Sequence, residues 1–189
     1  MRPRVGVLAL QGDFEAHGKA LRAAGADPVE VRVPSDLSGC RGLVLPGGES
    51  TTLLLLLASS GLDRAIPEFH RAGGALFGTC AGAILLAKEV TRPVQPSLGL
   101  LDATVERNHY GRQLDSFEAS VPFPGGRPLP LVFIRAPAFA RVGKGVEVLL
   151  SHGGLPVLVR EGRVLAATFH PEMTADARVH RMFTEILEP

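Results

Sequence analysis

The 189-residue sequence has few cysteines, almost no net charge and no long apolar run. Its two cysteines, Cys40 and Cys80, form no C-x-x-C pair, so no disulfide framework is expected and a reduced, cytoplasmic protein is the simplest interpretation. The formal net charge is +1 without any block of like charges, which gives no indication of a nucleic-acid or membrane partner. The longest apolar run, Leu53 to Ala58, is far shorter than the roughly 20 residues of a membrane span.

The first half of the chain alternates short apolar runs with segments rich in helix formers. A continuous apolar run bounded by turn residues is typical of a buried parallel strand. Strands are predicted at Val5–Leu10, Val29–Val33, Gly42–Leu45 and Ala75–Phe77, and helices at Phe14–Ala24, Ser50–Ser60 and Ala81–Lys88. This alternation predicts an α/β fold of three layers, α/β/α, around a mostly parallel twisted sheet, as in flavodoxin-like proteins.

The second half has shorter apolar runs separated by Pro/Gly turns. Strands are predicted at Thr104–Arg107, Ser116–Val121, Leu131–Ile134, Val146–Leu150, Pro156–Arg160 and Val164–Phe169, followed by a helix at Ala175–Leu187. No internal repeat, low-complexity tract or long linker interrupts the chain. Residues 1–189 are therefore expected to form one domain, and the N-terminus does not have the pattern of a signal peptide.

Cys80 lies between a predicted strand and a predicted helix, in the segment Gly78-Thr79-Cys80-Ala81-Gly82. This is the G-x-C-x-G form of a nucleophile elbow, in which small flanking residues permit a tight turn. The side chain would stand at the carboxyl edge of the sheet, and a helix N-terminus favours the thiolate. The alternative is a buried structural cysteine. Cys40 is interpreted either as such a cysteine or as a residue of a surface loop. The flanking glycines favour catalysis at Cys80.

His170 and Glu172 follow the last predicted strand and supply a candidate base and a candidate orienting group for the thiol. Side chains alternate along an extended segment, so residues two apart point the same way, and Pro171 would stiffen the spacing. Alone, the pattern is better explained as a strand-end histidine with a solvated glutamate. Together with the cysteine turn, it predicts a Cys80-His170-Glu172 triad.

The segment Pro46-Gly47-Gly48-Glu49-Ser50 lies between a predicted strand and a predicted helix. Its glycines permit backbone N–H groups to face a developing oxyanion, and the N–H groups of Gly48 and Ala81 are the predicted oxyanion hole. An ordinary glycine-rich turn is the alternative, and the spacing does not fit a dinucleotide loop. The remaining histidines show no metal-ligand pattern and are interpreted as structural or surface residues, except that His109 lies close to a candidate substrate segment; they are His17, His70, His109, His152 and His180.

The cysteine turn, the Pro-Gly-Gly loop and the Phe169-His170-Pro171-Glu172 segment together resemble the class I (triad) glutamine amidotransferases. Further segments resemble, more specifically, the glutaminase subunit of pyridoxal 5'-phosphate synthase: Leu10-Gln11-Gly12-Asp13-Phe14, Arg107 to Gln113, Asp115-Ser116-Phe117-Glu118 and Phe133-Ile134-Arg135-Ala136-Pro137. The resemblance spans nearly the whole chain.

The resemblance implies a role for individual residues. Cys80 would be the nucleophile, His170 the base and Glu172 the orienting group. Positions that bind glutamine in the family match Gly47, Gly48, Glu49, Arg107, Ile134 and Arg135. The α-carboxylate of glutamine needs a guanidinium, for which Arg107 is the candidate, and its α-ammonium needs a carboxylate. Gln11 and Gly12 match a segment linked to activation by the synthase partner.

The resemblance also implies a function. The chain would hydrolyse L-glutamine to glutamate and ammonia without a metal or organic cofactor, and would pass the ammonia to a barrel-fold synthase subunit in a hetero-oligomeric complex. Sluggish turnover by the isolated chain is expected if the oxyanion loop or the Gln11 region is set only on docking. Three alternatives stay open: a glutaminase serving another pathway such as histidine biosynthesis, a cysteine peptidase, and a catalytically silent scaffold.

Overall fold

The computed structural model describes residues 2–109, 116–123 and 126–188. Five α-helices lie in these ranges: α1 Phe14–Ala23, α2 Ser50–Ser60, α3 Leu62–Arg71, α4 Ala81–Leu86 and α5 Arg178–Ile186. Twelve strands accompany them: β1 Arg4–Leu8, β2 Asp27–Val31, β3 Gly42–Leu45, β4 Ala75–Thr79, β5 Ala87–Thr91, β6 Leu101–Glu106, β7 Phe117–Val121, β8 Leu129–Phe133, β9 Ala138–Val142, β10 Glu147–His152, β11 Leu155–Glu161 and β12 Val164–Ala167.

A seven-stranded sheet with the order β10-β11-β12-β4-β3-β1-β2 forms the centre of the molecule. Its five strands from β12 to β2 are parallel, whereas β10 and β11 pair antiparallel at one side. The predicted mostly parallel sheet is confirmed. Because β12, β4, β3 and β1 are neighbours, the segments that follow them meet at one edge, where ligands bind in open α/β sheets.

Layers on both faces cover this sheet, since its strands are apolar on both sides. On β3, Leu43 and Leu45 face a core shared with α2, α3 and α4, while Val44 faces a second core shared with α1 and α5. The three-stranded sheet β5-β6-β9 adds to the first core, and the β7-β8 hairpin adds to the second. The predicted three-layer α/β/α fold is therefore confirmed.

Several predicted elements differ from the structure in kind. The helix predicted at Ala81–Lys88 ends at Leu86, and the chain continues as strand β5. The backbone N–H groups of Leu98 and Leu100 bond the carbonyls of Leu85 and Leu86, which satisfies the end of the short helix. Helix α3 and strand β9 were not predicted at all; α3 forms although Pro67 lies inside it, because Leu62 and Ile66 bury one face.

Other boundaries move by a few residues. The predicted helix Ala175–Leu187 was wrong at its start, because local side-chain bonds keep residues 174–177 out of the helix. Asp176 accepts hydrogen bonds from the backbone N–H and guanidinium of Arg178, and its own N–H bonds Thr174 Oγ1. Strands β1 and β12 end earlier than predicted, at Leu8 and Ala167. No helix among the described residues is long and apolar enough to cross a membrane.

Candidate active site

Cys80 occupies a strained turn between β4 and α4. Its backbone has φ 48° and ψ −106°, a conformation that costs a non-glycine residue on the order of 1–3 kcal/mol. A Cβ atom at Gly78 would lie 2.6 Å from the carbonyl atoms of Gly82, and one at Gly82 would collide with the Leu45 carbonyl oxygen. The flanking glycines are therefore required by the close approach of strand, helix and neighbouring strand.

His170 reaches the cysteine because β12 runs parallel to β4, with Ala167 level with Thr79. The Cys80 N–H donates to the Ala167 carbonyl at 2.9 Å, and the His170 N–H donates to the Val132 carbonyl at 2.8 Å. These bonds fix the backbone on both sides of the site. Cys80 and His170 line the same cavity, and the thiol is one of the two groups that raise the pKa of His170. The Cys80 Sγ lies 4.0 Å from the Ile134 carbonyl oxygen.

Glu172 contacts the other side of the imidazole, with 2.7 Å between its Oε1 and His170 Nδ1. The contact was expected to arise from alternation of side chains along an extended segment, and that expectation was wrong. Residues Pro171–Met173 form a single 3-10 turn rather than an extended segment, with His170 at its start. The turn, and not strand alternation, brings the carboxylate back onto the ring.

Buried charge interactions set the protonation of these groups. Burial acts to lower the pKa of His170, but the Cys80 thiol and the Glu172 carboxylate outweigh it and raise this pKa to about 10. Burial acts to raise the pKa of Glu172, but His17 and His170 outweigh it and hold the pKa of that carboxyl well below its usual range. At neutral pH the imidazole is therefore protonated and the carboxylate ionised.

A cavity of about 370 Å³ opens above Cys80 and His170, within the usual size range of small-molecule sites. The predicted substrate and activation residues that line it are Gln11, Gly12, Gly47, Gly48, Glu49, Arg107, Ile134 and Arg135. Ala81 does not line it, but its N–H is one of the first in α4 and so has no partner within the helix. Glu172 lies behind the imidazole, fully buried.

The glycine loop after β3 packs against the imidazole ring of His170. A Cβ atom at Gly47 would lie 2.5 Å from His170 Cε1 and 3.4 Å from the Cys80 Cβ, so no side chain fits there. Gly12, with φ 93°, packs against the Gly47 carbonyl in the same way. The Glu49 N–H donates to Gln11 Oε1 at 3.1 Å, which ties the loop to the turn after β1.

Two charged side chains close the outer side of the cavity. Arg135, at φ 42°, and Glu49 are both about half exposed, and 3.4 Å separates Arg135 Nη2 from Glu49 Oε1. Arg107 is partly buried, with its N–H bonded to the Thr91 carbonyl. Guanidinium and carboxylate groups thus face one cavity, as recognition of an amino acid requires.

His17 and His180 were interpreted as structural or surface residues, and the surface alternative is wrong. Both side chains are fully buried, and His17 lies behind Glu172 with 3.4 Å between its Nε2 and Glu172 Oε2. Leu21, one turn further along α1, is buried too, so the helical spacing could have indicated burial of His17.

Among the described residues, no group of three or more His, Cys, Asp or Glu side chains could hold a metal ion.

Comparison with known proteins places this site in a family. Residues 7–188 match the SNO glutamine amidotransferase family. The chain belongs to this family. The resemblance to glutamine amidotransferases, and the expectation of an enzyme of that class, are thereby confirmed.

Members of the SNO glutamine amidotransferase family are similar over nearly the full length of the chain. The proteins named pyridoxal 5'-phosphate synthase subunit PdxT from Deinococcus radiodurans and Thermus thermophilus are each 55% identical, covering 95% and 98% of this chain and 94% and 98% of their own. A solved structure named as a glutamine amidotransferase has a TM-score of 0.90 and 53% identity, and the match covers 97% of this chain and 98% of that one.

A more distant structure shows the fold alone. The structure of PurLQS from Thermotoga maritima has a TM-score of 0.70 at 19% identity, and the match covers 99% of this chain and 96% of that one.

The family resemblance also included Tyr110 to Gln113 and Asp115, which lie outside the described residues. The roles predicted for individual site residues stay predictions.

Proposed function

We propose that the chain hydrolyses L-glutamine to L-glutamate and ammonia through a γ-glutamyl thioester on Cys80, and that it supplies the ammonia to the subunit that makes pyridoxal 5'-phosphate. The arrangement of Cys80, His170 and Glu172 beneath a cavity is the observation that carries this proposal. Family membership and the names of the similar PdxT proteins support it.

The first half of the reaction forms the thioester. The Cys80 sulfur, as thiolate, attacks the γ-carboxamide carbon, and the carbonyl oxygen becomes an oxyanion. Backbone N–H groups of Gly48 and Ala81 are the proposed donors to it. The C–N bond then breaks while the protonated His170 gives its proton to the leaving nitrogen, which departs as ammonia.

The second half returns the enzyme to its starting state. Neutral His170 takes a proton from water as the water oxygen attacks the thioester carbon. Collapse of the second oxyanion breaks the C–S bond, which regenerates the thiolate beside protonated His170, and glutamate leaves. Glu172 keeps the imidazole in one orientation through the 2.7 Å contact at Nδ1, so that Nε2 serves the thiol, the leaving group and the water.

Recognition of glutamine is assigned to the outer part of the cavity. Arg107 is proposed to hold the α-carboxylate and Glu49 the α-ammonium, with Arg135 and the backbone of Gly47, Gly48 and Ile134 enclosing the side chain. The Glu49–Arg135 contact joins two exposed groups and is worth little, so Glu49 can exchange it for the ligand.

The partner is proposed to be a barrel-fold synthase subunit in a hetero-oligomeric complex. Ammonia is mostly protonated in neutral water and then is not nucleophilic, which gives direct transfer its physical reason. Gln11 and Gly12 are proposed to report docking to the active site, because they contact the loop that carries Gly48. Glutaminase turnover by the isolated chain is then slower than turnover by the complex; equal rates would contradict this.

A reconstitution experiment tests the function. The chain is mixed with the synthase subunit of a similar species, and release of glutamate and of pyridoxal 5'-phosphate is measured with glutamine or with ammonium. We expect ammonium to support the synthase alone, and glutamine to support it only with this chain and not with Cys80→Ala. Full glutamine-dependent output from Cys80→Ala would identify a scaffold instead.

Two further arms of the experiment test for a different pathway and for a peptidase. Replacing the partner with the synthase subunit of histidine biosynthesis tests for another pathway, and we expect no stimulation there. Peptide substrates test for a peptidase, and we expect turnover to be specific for glutamine. Stimulation by the histidine partner alone, or cleavage of peptides at a comparable rate, would overturn the proposal.

A further inference from the structure

Behind the triad lies a pair of histidines that the proposed reaction does not use. His17 comes from α1 and His180 from α5, at opposite ends of the chain, and both side chains are fully buried. The distance from His17 Nδ1 to His180 Nε2 is 3.0 Å, that of a hydrogen bond. Two titratable rings in direct contact in a protein core need a stabilising arrangement of protons.

The outer nitrogen of His17 faces the catalytic carboxylate. His17 Nε2 lies 3.4 Å from Glu172 Oε2 and 3.1 Å from Thr79 Oγ1. Glu172 Oε2 is buried and has no hydrogen-bond partner among the described residues, so the 3.4 Å contact with His17 is its nearest polar interaction, whereas Oε1 is held by His170. The carboxylate therefore lies between two imidazoles, one in the proposed triad and one behind it.

The hydrogen-bond pattern selects one arrangement of protons. If His180 Nε2–H donates to His17 Nδ1, the His17 proton is on Nε2 and points at Thr79 and Glu172. His180 Nδ1, which is buried without a partner among the described residues, then carries only a lone pair. In the reverse arrangement His17 Nδ1–H donates to His180 Nε2, so His180 carries its proton on Nδ1 and a buried N–H is left unpaired. This is the costlier defect, and a neutral His17 would in addition aim a lone pair at the carboxylate.

Burial supports the neutral state that His180 needs for this role. It lowers the pKa of His180 to about 3, an effect that His17 increases and Glu172 opposes. The titratable groups around Glu172 are thus His170, His17 and, through His17, His180. The rings also fill space: Phe77 contacts both, with ring centroids 6.2 Å from His17 and 5.6 Å from His180. Packing alone is therefore the competing explanation.

We infer that His17 is a positioning residue of the glutaminase site: its Nε2–H holds Glu172 Oε2, so that Oε1 stays on His170 Nδ1, and His180 fixes the tautomer of His17. The inference rests on the proposed glutaminase activity. Without His17 the carboxylate is free to rotate away from His170, and a misoriented imidazole slows proton transfer without weakening glutamine binding.

The test compares His17→Leu, His17→Gln and His17→Asn in the complex with the synthase subunit. We expect His17→Leu to lower kcat about 10- to 100-fold with little change in KM. Because His17 helps to keep Glu172 ionised, its loss moves the acidic limb of the kcat profile to higher pH. Gln places an amide N–H near the position of Nε2 and restores most of the rate, whereas the shorter Asn does not.

Controls separate this inference from packing and from the proposed function. His70→Leu removes a partly buried histidine of α3 that bonds the Gly74 carbonyl away from the site, and it should leave kcat and the pH profile unchanged. In a Glu172→Gln background, His17→Leu should have almost no further effect on kcat. If His17→Leu does not fold, comparing the kcat of His17→Gln with that of His17→Asn still tests the inference.

Each outcome has one meaning. Wild-type kcat and pH profile in a folded His17→Leu variant overturn the inference while leaving the glutaminase function intact. Equal losses in the Gln and Asn variants, or a loss by His17→Leu that is unchanged in the Glu172→Gln background, point to packing and overturn it too. Failure of the wild-type complex to hydrolyse glutamine overturns the proposed function itself.

Discussion

The buried inner wall of the site (Cys80 and His170, with Glu172 and His17 behind them) and the rim of its cavity (Gly48, Glu49, Arg107 and Arg135) are built differently. Every inner-wall residue is less than 9% exposed, and neighbouring strands and turns fix its backbone. Two of the rim side chains are about half exposed and contact each other. The proposed chemistry is therefore preorganised by burial, whereas the proposed substrate recognition would use side chains that solvent already reaches.

The largest expected difference between the inner wall and the rim is in how the free energy of unfolding depends on acidic pH. The pKa of Glu172 is depressed in the folded chain, so its stabilising contribution is full above the unfolded value of 4.5 and is lost as pH falls below it. We expect the free energy of unfolding to fall as the pH drops from 5 towards the lowered pKa of folded Glu172, and to fall by less in Glu172→Gln. The rim variant Glu49→Gln should retain the wild-type fall. Urea titrations across this range measure it.

A residual slope is expected in every variant, because Asp36, Asp176 and the buried neutral His180 also have lowered pKa values. Hydrogen bonds from backbone N–H groups near Asp36 and from Arg178 near Asp176 are the leading causes. The same acid slope in wild type and Glu172→Gln would contradict a strongly stabilised inner-wall carboxylate.

Gly47→Ala tests how tightly the glycine loop after β3 holds the imidazole of His170. The new methyl group would lie 2.5 Å from His170 Cε1, so the ring or the loop must move. A displacement of this kind lowers kcat about 100-fold. Gly145→Ala is the matched control, since its nearest neighbour, Glu161 Oε1, would be 3.7 Å away. Steady-state glutamine turnover in the complex measures this. An unchanged kcat for Gly47→Ala would mean that the loop does not fix the position of the His170 ring.

Arg107→Gln tests the rim as the site of substrate recognition. Loss of a charge-assisted contact with the α-carboxylate should raise KM for glutamine about 10-fold while kcat changes little. Arg32→Gln removes an exposed arginine that pairs with Glu30 away from the cavity, and it should leave KM unchanged. A fall in kcat without a rise in KM would place Arg107 in the chemistry rather than in binding.

The smallest effect is expected from the rim ion pair itself. Arg135→Gln removes an exposed contact to Glu49 and should change the free energy of unfolding by no more than about 0.5 kcal/mol. Thermal unfolding in the absence of glutamine measures this. A clearly larger loss would mean that the rim, like the inner wall, is a structural element.

The sequence was informative where a local pattern determines the structure. Apolar runs such as Gly42–Leu45 predicted the parallel strands, and the glycines around Cys80 predicted its sharp turn. The same reasoning gave the right pair, His170 with Glu172, for the wrong reason, because a strand and a 3-10 turn can both bring residues i and i+2 together.

What the sequence did not predict depends on contacts between distant segments. His17 and His180 are 163 residues apart, and nothing local to either histidine indicates that they bond each other behind Glu172. The change from α4 to β5 at Ala87 depends similarly on pairing with β6 and on bonds from Leu98 and Leu100. Both features depend on tertiary contacts, and at Ala87 those contacts override the local helix propensity.

The most direct test identifies the atom that carries the acyl group. Wild-type protein turning over glutamine with the synthase subunit is quenched rapidly in acid, and its peptides are mapped by mass. The chain provides its own control, because burial raises the pKa of the other thiol, Cys40. We expect a γ-glutamyl group on Cys80 alone, and none in His170→Gln. An adduct on Cys40, or rapid turnover by Cys80→Ala, would contradict it.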